Sequence, residues 1–118
     1  MNLESKHCVP CEGGTPPLLK REIDELLKQL TSPWELVRTE RIQRDFEFSD
    51  FKDGLAFVNR VGAIAEAEGH HPDIYLTWGE VTVELSTHAI RGLSINDFIL
   101  ARKIEAVYHG KDKNRIYV

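Results

Sequence analysis

The chain has 118 residues, 42 % of them hydrophobic, which is enough for one core and too little for two ordinary domains. Its formal charge of −4 argues against a broad phosphate-binding surface, and so against direct nucleic-acid binding, because that surface needs a clustered positive face. No apolar run approaches the roughly 20 residues of a membrane span, and MNLESKHC lacks the apolar stretch of a signal peptide, so a soluble cytoplasmic protein with no membrane partner is expected.

Residues 1–14 read as a flexible arm. They hold the two cysteines of the chain, in His7-Cys8-Val9-Pro10-Cys11. Two thiols cannot form a disulfide framework, and a C-x-x-C pair suits a redox couple or half a zinc site. A redox pair belongs between a strand and a helix, however, and structural zinc wants four ligands. Followed by Glu12-Gly13-Gly14-Thr15-Pro16-Pro17, the pair is better placed in an unstructured entry to the first helix.

A single domain is expected over residues 15–108. From Pro17 to Leu30 the apolar Leu19, Ile23, Leu26, Leu27 and Leu30 recur at three and four, the pattern of an amphipathic helix. Trp34 to Val37 and Ile42 to Phe48 read as two strands of a hairpin. Putting Trp34 and Leu36 on one face with Ile42 and Phe46 pairs even numbers with even, which requires a three-residue loop. Ser49 or Asp50 caps a second helix whose buried stripe is expected to be Phe51, Leu55, Val58, Val61, Ile64 and Ala65, ending near Glu68 with Gly69 as the left-handed exit.

Ile74 to Trp78 and Val81 to His88 form the next hairpin, with Gly79-Glu80 as a type II′ turn. A third helix starts at Ser94 and carries Phe98, Ala101, Ile104, Val107 and Tyr108 inward, and residues 109–118 read as a polar tail. The order α-β-β-α-β-β-α points to an α+β fold, an antiparallel sheet with helices on one face.

The second hairpin carries the functional argument. A Gly79-Glu80 turn pairs Trp78 with Val81, Leu76 with Val83, Ile74 with Leu85 and His71 with His88. Trp78 then lies on the apolar face, and the two histidines stand roughly 4.5 to 5.5 Å apart at Cβ. His70 closes the group from the helix end, and Pro72 stiffens the place where the histidines emerge. Three imidazoles suit proton transfer at neutral pH. Two other readings stay open on spacing alone: a zinc site that includes Glu66, four residues before His70, and plain polarity on a solvated sheet face.

Glu66-x3-His70-His71-Pro72, then Trp78 after five residues, His88 after nine more and Asp97 after eight more, resembles the signature of the pterin-4a-carbinolamine dehydratases. A weaker similarity extends over about residues 15 to 107, including FEFSDFKDGLAFVNRV and THAIRGLSINDFILARKIEAV. The resemblance implies a four-stranded antiparallel sheet with three helices on one side. It also implies loss of water from 4a-hydroxytetrahydrobiopterin to give quinonoid dihydropterin, without metal or other cofactor, downstream of an aromatic amino-acid hydroxylase. His70 and His88 are then the expected acid/base pair and His71 the residue that mainly holds the pterin. Ser86 and Thr87 line the site.

Asp97 is expected to cap the third helix, to orient a catalytic histidine, or both. Glu66 is read as an exposed helical charge or a further site residue, and Arg91 stands where a small or neutral residue is expected. A homodimer or homotetramer is implied. The competing readings are a protein-interaction module acting as a dimerisation cofactor, as animal relatives do for a homeodomain transcription factor, and a metal-dependent hydrolase built on Glu66, His70, His71 and His88.

Overall fold

The computed structural model describes residues 2–10, 13–31 and 33–114, with side chains as far as residue 110. Cys11 and residues 115–118 of the expected tail lie outside the described residues. The elements are α1 (Lys20–Leu27), β1 (Glu35–Val37), β2 (Arg41–Glu47), α2 (Phe51–Glu68), β3 (Asp73–Leu76), β4 (Glu80–Leu85) and α3 (Ile95–Asn114), with short 3-10 turns at Leu3–Ser5 and His88–Ile90. The four strands form one antiparallel sheet in the order β1-β2-β4-β3.

Three helices and this sheet give the expected α+β architecture. Ile42, Phe46, Val81, Val83 and Leu85 are at most 1 % exposed and meet Phe57, Val61, Phe98, Ala101 and Ile104 from the helices. Phe46 is the centre of an aromatic cluster, 4.9 Å from the rings of both Phe57 and Tyr108 and 5.9 Å from Trp34. Arg44, which interrupts the apolar alternation of β2, lies 4.3 Å over the Phe46 ring and 3.5 Å from the fully buried Glu105 carboxylate. Glu105 also accepts from the Trp34 indole at 2.8 Å and the Thr31 amide at 2.9 Å, so the polar residue inside the sheet face is matched by a polar residue on α3.

Several expectations shift by a few residues, each for a local reason. α1 begins at Lys20 instead of Pro17, because the Leu18 amide donates to Leu93 O at 2.9 Å and the following Leu19, the cap, is extended. Glu22 caps the late start by accepting from the Leu19 amide at 2.8 Å, and Leu19 itself is 54 % exposed. In α2, Asp50 is the cap, accepting from the Asp53 amide at 2.9 Å. The buried stripe is Gly54, Phe57, Val61 and Ala65, while Phe51 and Leu55 are exposed. Gly54 suits this rotation: a Cβ there would sit 3.2 Å from Leu76 Cδ1, a tight contact where the helix crosses β3.

The first hairpin pairs Leu36 with Ile42 and Val37 with Arg41, leaving the three-residue loop Arg38-Thr39-Glu40. The second departs from expectation. Leu76 pairs with Val81 and Ile74 with Val83, a slip of two residues that makes Trp78-Gly79 the turn. Parity is preserved, so the apolar face is the expected one apart from Trp78, which is 68 % exposed at the tip. The neighbouring strand decides the register: β2 pairs Phe46 with Val81 and Glu47 with Glu80, and the Phe48 amide takes the Gly79 carbonyl at 2.9 Å.

Residues 3–10, expected to stand free, pack along α3: Leu3 is 2 % exposed within the core, and Lys103 Nζ donates to Glu4 O at 2.8 Å. α3 itself continues through Asn114, past the expected end at residue 108.

Candidate active site

α2 ends at Gly69, whose φ of +67° suits a residue without Cβ, and both the Gly69 and His70 amides close on Ala65 O. This exit delivers His70 to the N-terminal end of α3. There His70 Nε2 lies 2.7 Å from Asp97 Oδ1. Asp97 is fully buried, and its other oxygen accepts from Thr87 Oγ1 at 2.7 Å and from the Ser94 amide at 3.0 Å. Thr87 has one hydroxyl proton and directs it to Asp97, so the 2.8 Å contact between Thr87 Oγ1 and Ser94 Oγ runs from Ser94 to Thr87. Asp97 thus caps α3 and orients a histidine at once, and the histidine is His70.

His71 and His88 arrive differently from expectation. The β3–β4 ladder ends at Asp73 and Glu84, and His88 lies in the 3-10 turn that follows β4, so the two are not cross-strand partners. The chain after Leu85 closes instead on itself, with the Thr87 amide on Gly92 O at 2.8 Å. All three imidazoles nevertheless line one cleft of about 370 Å³, together with Ser86 and Thr87. His71 Nε2 meets Glu66 Oε2 at 2.5 Å; that pair is 60 % and 79 % exposed, so Glu66 orients His71 from the solvent side. A second hollow, of about 320 Å³, shares Ser86, Thr87 and His88 and adds Glu40 and Arg91. Arg91 occupies a left-handed position at φ 54°, where glycine is the default. Among the described residues no group of three or more His, Cys, Asp or Glu side chains is arranged to hold a metal ion; of the four donors expected for zinc, Glu66 and His71 pair with each other while His70 is taken by Asp97.

Lining residues that the sequence reading did not place in the site include Val9, Pro10, Ala89 and Asn96. Asn96 adjoins Asp97 and is 2 % exposed, with Oδ1 accepting from the Val9 amide at 3.0 Å and Nδ2 donating to Val9 O. Beside it the Glu68 carboxylate accepts from the Cys8 amide at 2.7 Å and pairs with His7 at 3.0 Å and Lys103 at 3.7 Å. Burial acts to raise the Glu68 carboxyl, but the hydrogen bonds from Cys8 and His7 and the Lys103 charge overcome it and hold the group below its ordinary 4.5. Burial, reinforced by the charges of Glu68 and Asp97, pushes the Cys8 thiol up to about 12, so it is no thiolate nucleophile at neutral pH.

Comparison with known proteins fits this arrangement. Residues 16–107 match the family model described as Pterin 4 alpha carbinolamine dehydratase. The chain belongs to that family. Among its relatives, proteins assigned by name to the pterin-4-alpha-carbinolamine dehydratases in Alkaliphilus metalliredigens and Rickettsia canadensis are 45 % and 48 % identical, each over 88 % of this chain and 94 % and 95 % of their own. One from Chlorobaculum tepidum is 50 % identical over 87 % of this chain and 95 % of its own. A Brucella melitensis crystal structure described as a transcriptional coactivator/pterin dehydratase superposes with TM-score 0.73 at 33 % identity, covering 78 % of this chain and 98 % of that one. A pterin dehydratase-like RuBisCO assembly factor of the alpha-carboxysome shares the fold alone, with TM-score 0.58 at 20 % identity over 66 % of this chain and 92 % of that one.

Proposed function

We propose that the protein dehydrates a pterin-4a-carbinolamine, 4a-hydroxytetrahydrobiopterin, by general acid and base catalysis. The observation that carries this reading is the convergence of His70, His71 and His88 on one cleft, with His70 backed by a buried carboxylate. In the reaction the C4a–O bond breaks and the oxygen leaves as water. The adjacent ring nitrogen loses its proton, and its electron pair forms the C=N bond of quinonoid dihydropterin. Hydroxide is a poor leaving group, so an acid must protonate the oxygen as a base takes the nitrogen proton.

His70 suits the base. Asp97 occupies Nε2, which leaves Nδ1 toward the ligand, and the carboxylate faces the imidazolium formed when Nδ1 takes a proton. His88, exposed at the cleft, is the acid, and His71 with Glu66 holds the pterin. No step in this scheme requires a metal. The setting that fits this chemistry is recycling of the pterin after an aromatic amino-acid hydroxylase has used it.

The direct measurement is the rate of 4a-carbinolamine dehydration above the buffer rate, followed by ultraviolet absorbance in stopped flow. His70→Ala and His88→Ala are each expected to lower kcat/KM by about 10²- to 10⁴-fold with unchanged circular dichroism. A wild-type protein that leaves the buffer rate unaltered would sink the proposal.

A further inference from the structure

The imidazoles and hydroxyls give the cleft its polar walls, and beside the small Ala89 its apolar lining comes from Val9 and Pro10, outside the family match that begins at residue 16. We propose that the segment from His7 to Pro10 is a substrate-binding element, in which Val9 and Pro10 form the surface against which the flat ring of the pterin lies. This rests on the pterin reading above.

The arm is built to hold a position. Leu3 is inserted in the core at 2 % exposure, and Glu4 is tied to α3 by its carbonyl on Lys103 and its carboxylate 3.1 Å from Arg102. The Cys8 amide ends on the nearly buried Glu68. Val9 is then clamped through both backbone groups by one buried amide side chain, Asn96, while its own side chain stays 60 % exposed.

A single exposed valine is ordinary on a protein surface. This one is fixed at donor and acceptor, borders the cleft, and is held by the residue next to the carboxylate that orients His70. Sites for small heterocycles are mostly apolar with a few placed polar groups. The three histidines supply the polar part, and the arm supplies apolar surface for a ring face. Such a surface contacts the ring equally before and during water loss, so it contributes to binding more than to the chemical step.

The test pairs equilibrium titration with biopterin, read by its fluorescence, with dehydration kinetics, on the wild type, Val9→Ser and Val9→Leu. Val9 packs against solvent, so these variants are expected to fold. The expected result for Val9→Ser is a rise of about five- to tenfold in both Kd and KM, with kcat changed less than twofold, and recovery in Val9→Leu. Unchanged Kd and KM in Val9→Ser alongside normal wild-type turnover overturns the wall and leaves the dehydratase reading standing. A wild type that binds biopterin without turnover, weakened by Val9→Ser, supports the wall and removes the dehydratase reading. A wild type that neither binds biopterin nor speeds dehydration removes both.

Discussion

Asp97 divides its two oxygens between His70 on one side and Thr87 with the Ser94 amide on the other. Asp97→Asn separates these tasks. An amide keeps the shape but has one acceptor, and the Thr87 hydroxyl and Ser94 N–H both need it. The NH2 then faces His70 Nε2, so the ring proton moves to Nδ1 and the cleft receives a donor in place of an acceptor. kcat is expected to fall by about ten- to a hundredfold, with a smaller change in KM, measured on the same 4a-carbinolamine. Equal kcat in Asp97→Asn would show that the tautomer of His70 is irrelevant. The placement of His70 and the capping position of Asp97 were legible, because the helix exit at Gly69 and the cap at Ser94 are local signals, whereas His71 and His88 were expected to meet through a cross-strand pairing that does not form. Which imidazole Asp97 reaches was not legible, since that depends on how the start of α3 docks against the end of α2. Val9 gave no signal at all; its place follows from a long-range clamp to Asn96.

Register is the lesson at the scale of elements. Alternation in Ile74, Leu76, Val81, Val83 and Leu85 identified the apolar face of the second hairpin, but a slip of two residues leaves that alternation intact. The choice between Gly79-Glu80 and Trp78-Gly79 as the turn is made by β2, which pairs Glu47 with Glu80, and by the Phe48 amide just after it, which donates to the Gly79 carbonyl. The first hairpin was readable because its alternatives differ in parity. The stripe of α2 was misplaced for a related reason: Phe51 and Leu55 are apolar, yet the helix turns Gly54 toward β3, where the approach to Leu76 is tight. Another glycine exposes a contact on which the site depends. A Cβ at Gly92 would lie 2.6 Å from Pro17 Cβ, in the loop that bonds Thr87 and precedes the Leu93–Leu18 link. Gly92→Ala is expected to lower stability by about 1–3 kcal/mol, seen as a lower urea midpoint at unchanged slope. A midpoint equal to wild type would show that Pro17 yields freely.

For the whole molecule, the arm couples acidity to stability. The Cys8 thiol is raised from 9.0 to about 12 on folding, so its contribution is complete below pH 9.0 and is lost as pH rises through that interval, where the unfolded thiol ionises and the folded one does not. Glu68 acts in the opposite sense. Its carboxyl is lowered, so its contribution is complete above the ordinary 4.5 and is lost as pH falls through the depressed value. Denaturant titrations at pH 8 and pH 10.5 are expected to show a loss for the wild type that is smaller in Cys8→Ser. An identical loss in the two proteins would remove Cys8 as its source.

α3 carries two buried carboxylates on one side, Asp97 beneath His70 and Glu105 beneath Trp34 and Arg44. They are eight residues apart, a little over two turns. One added residue between them would turn either acid away by about 100°, stranding a histidine at one end or a guanidinium at the other. Descendants of this chain are therefore free to exchange side chains along α3 and to lengthen loops such as Arg38-Thr39-Glu40, but the interval between these two acids is a fixed ruler that insertions and deletions cannot cross.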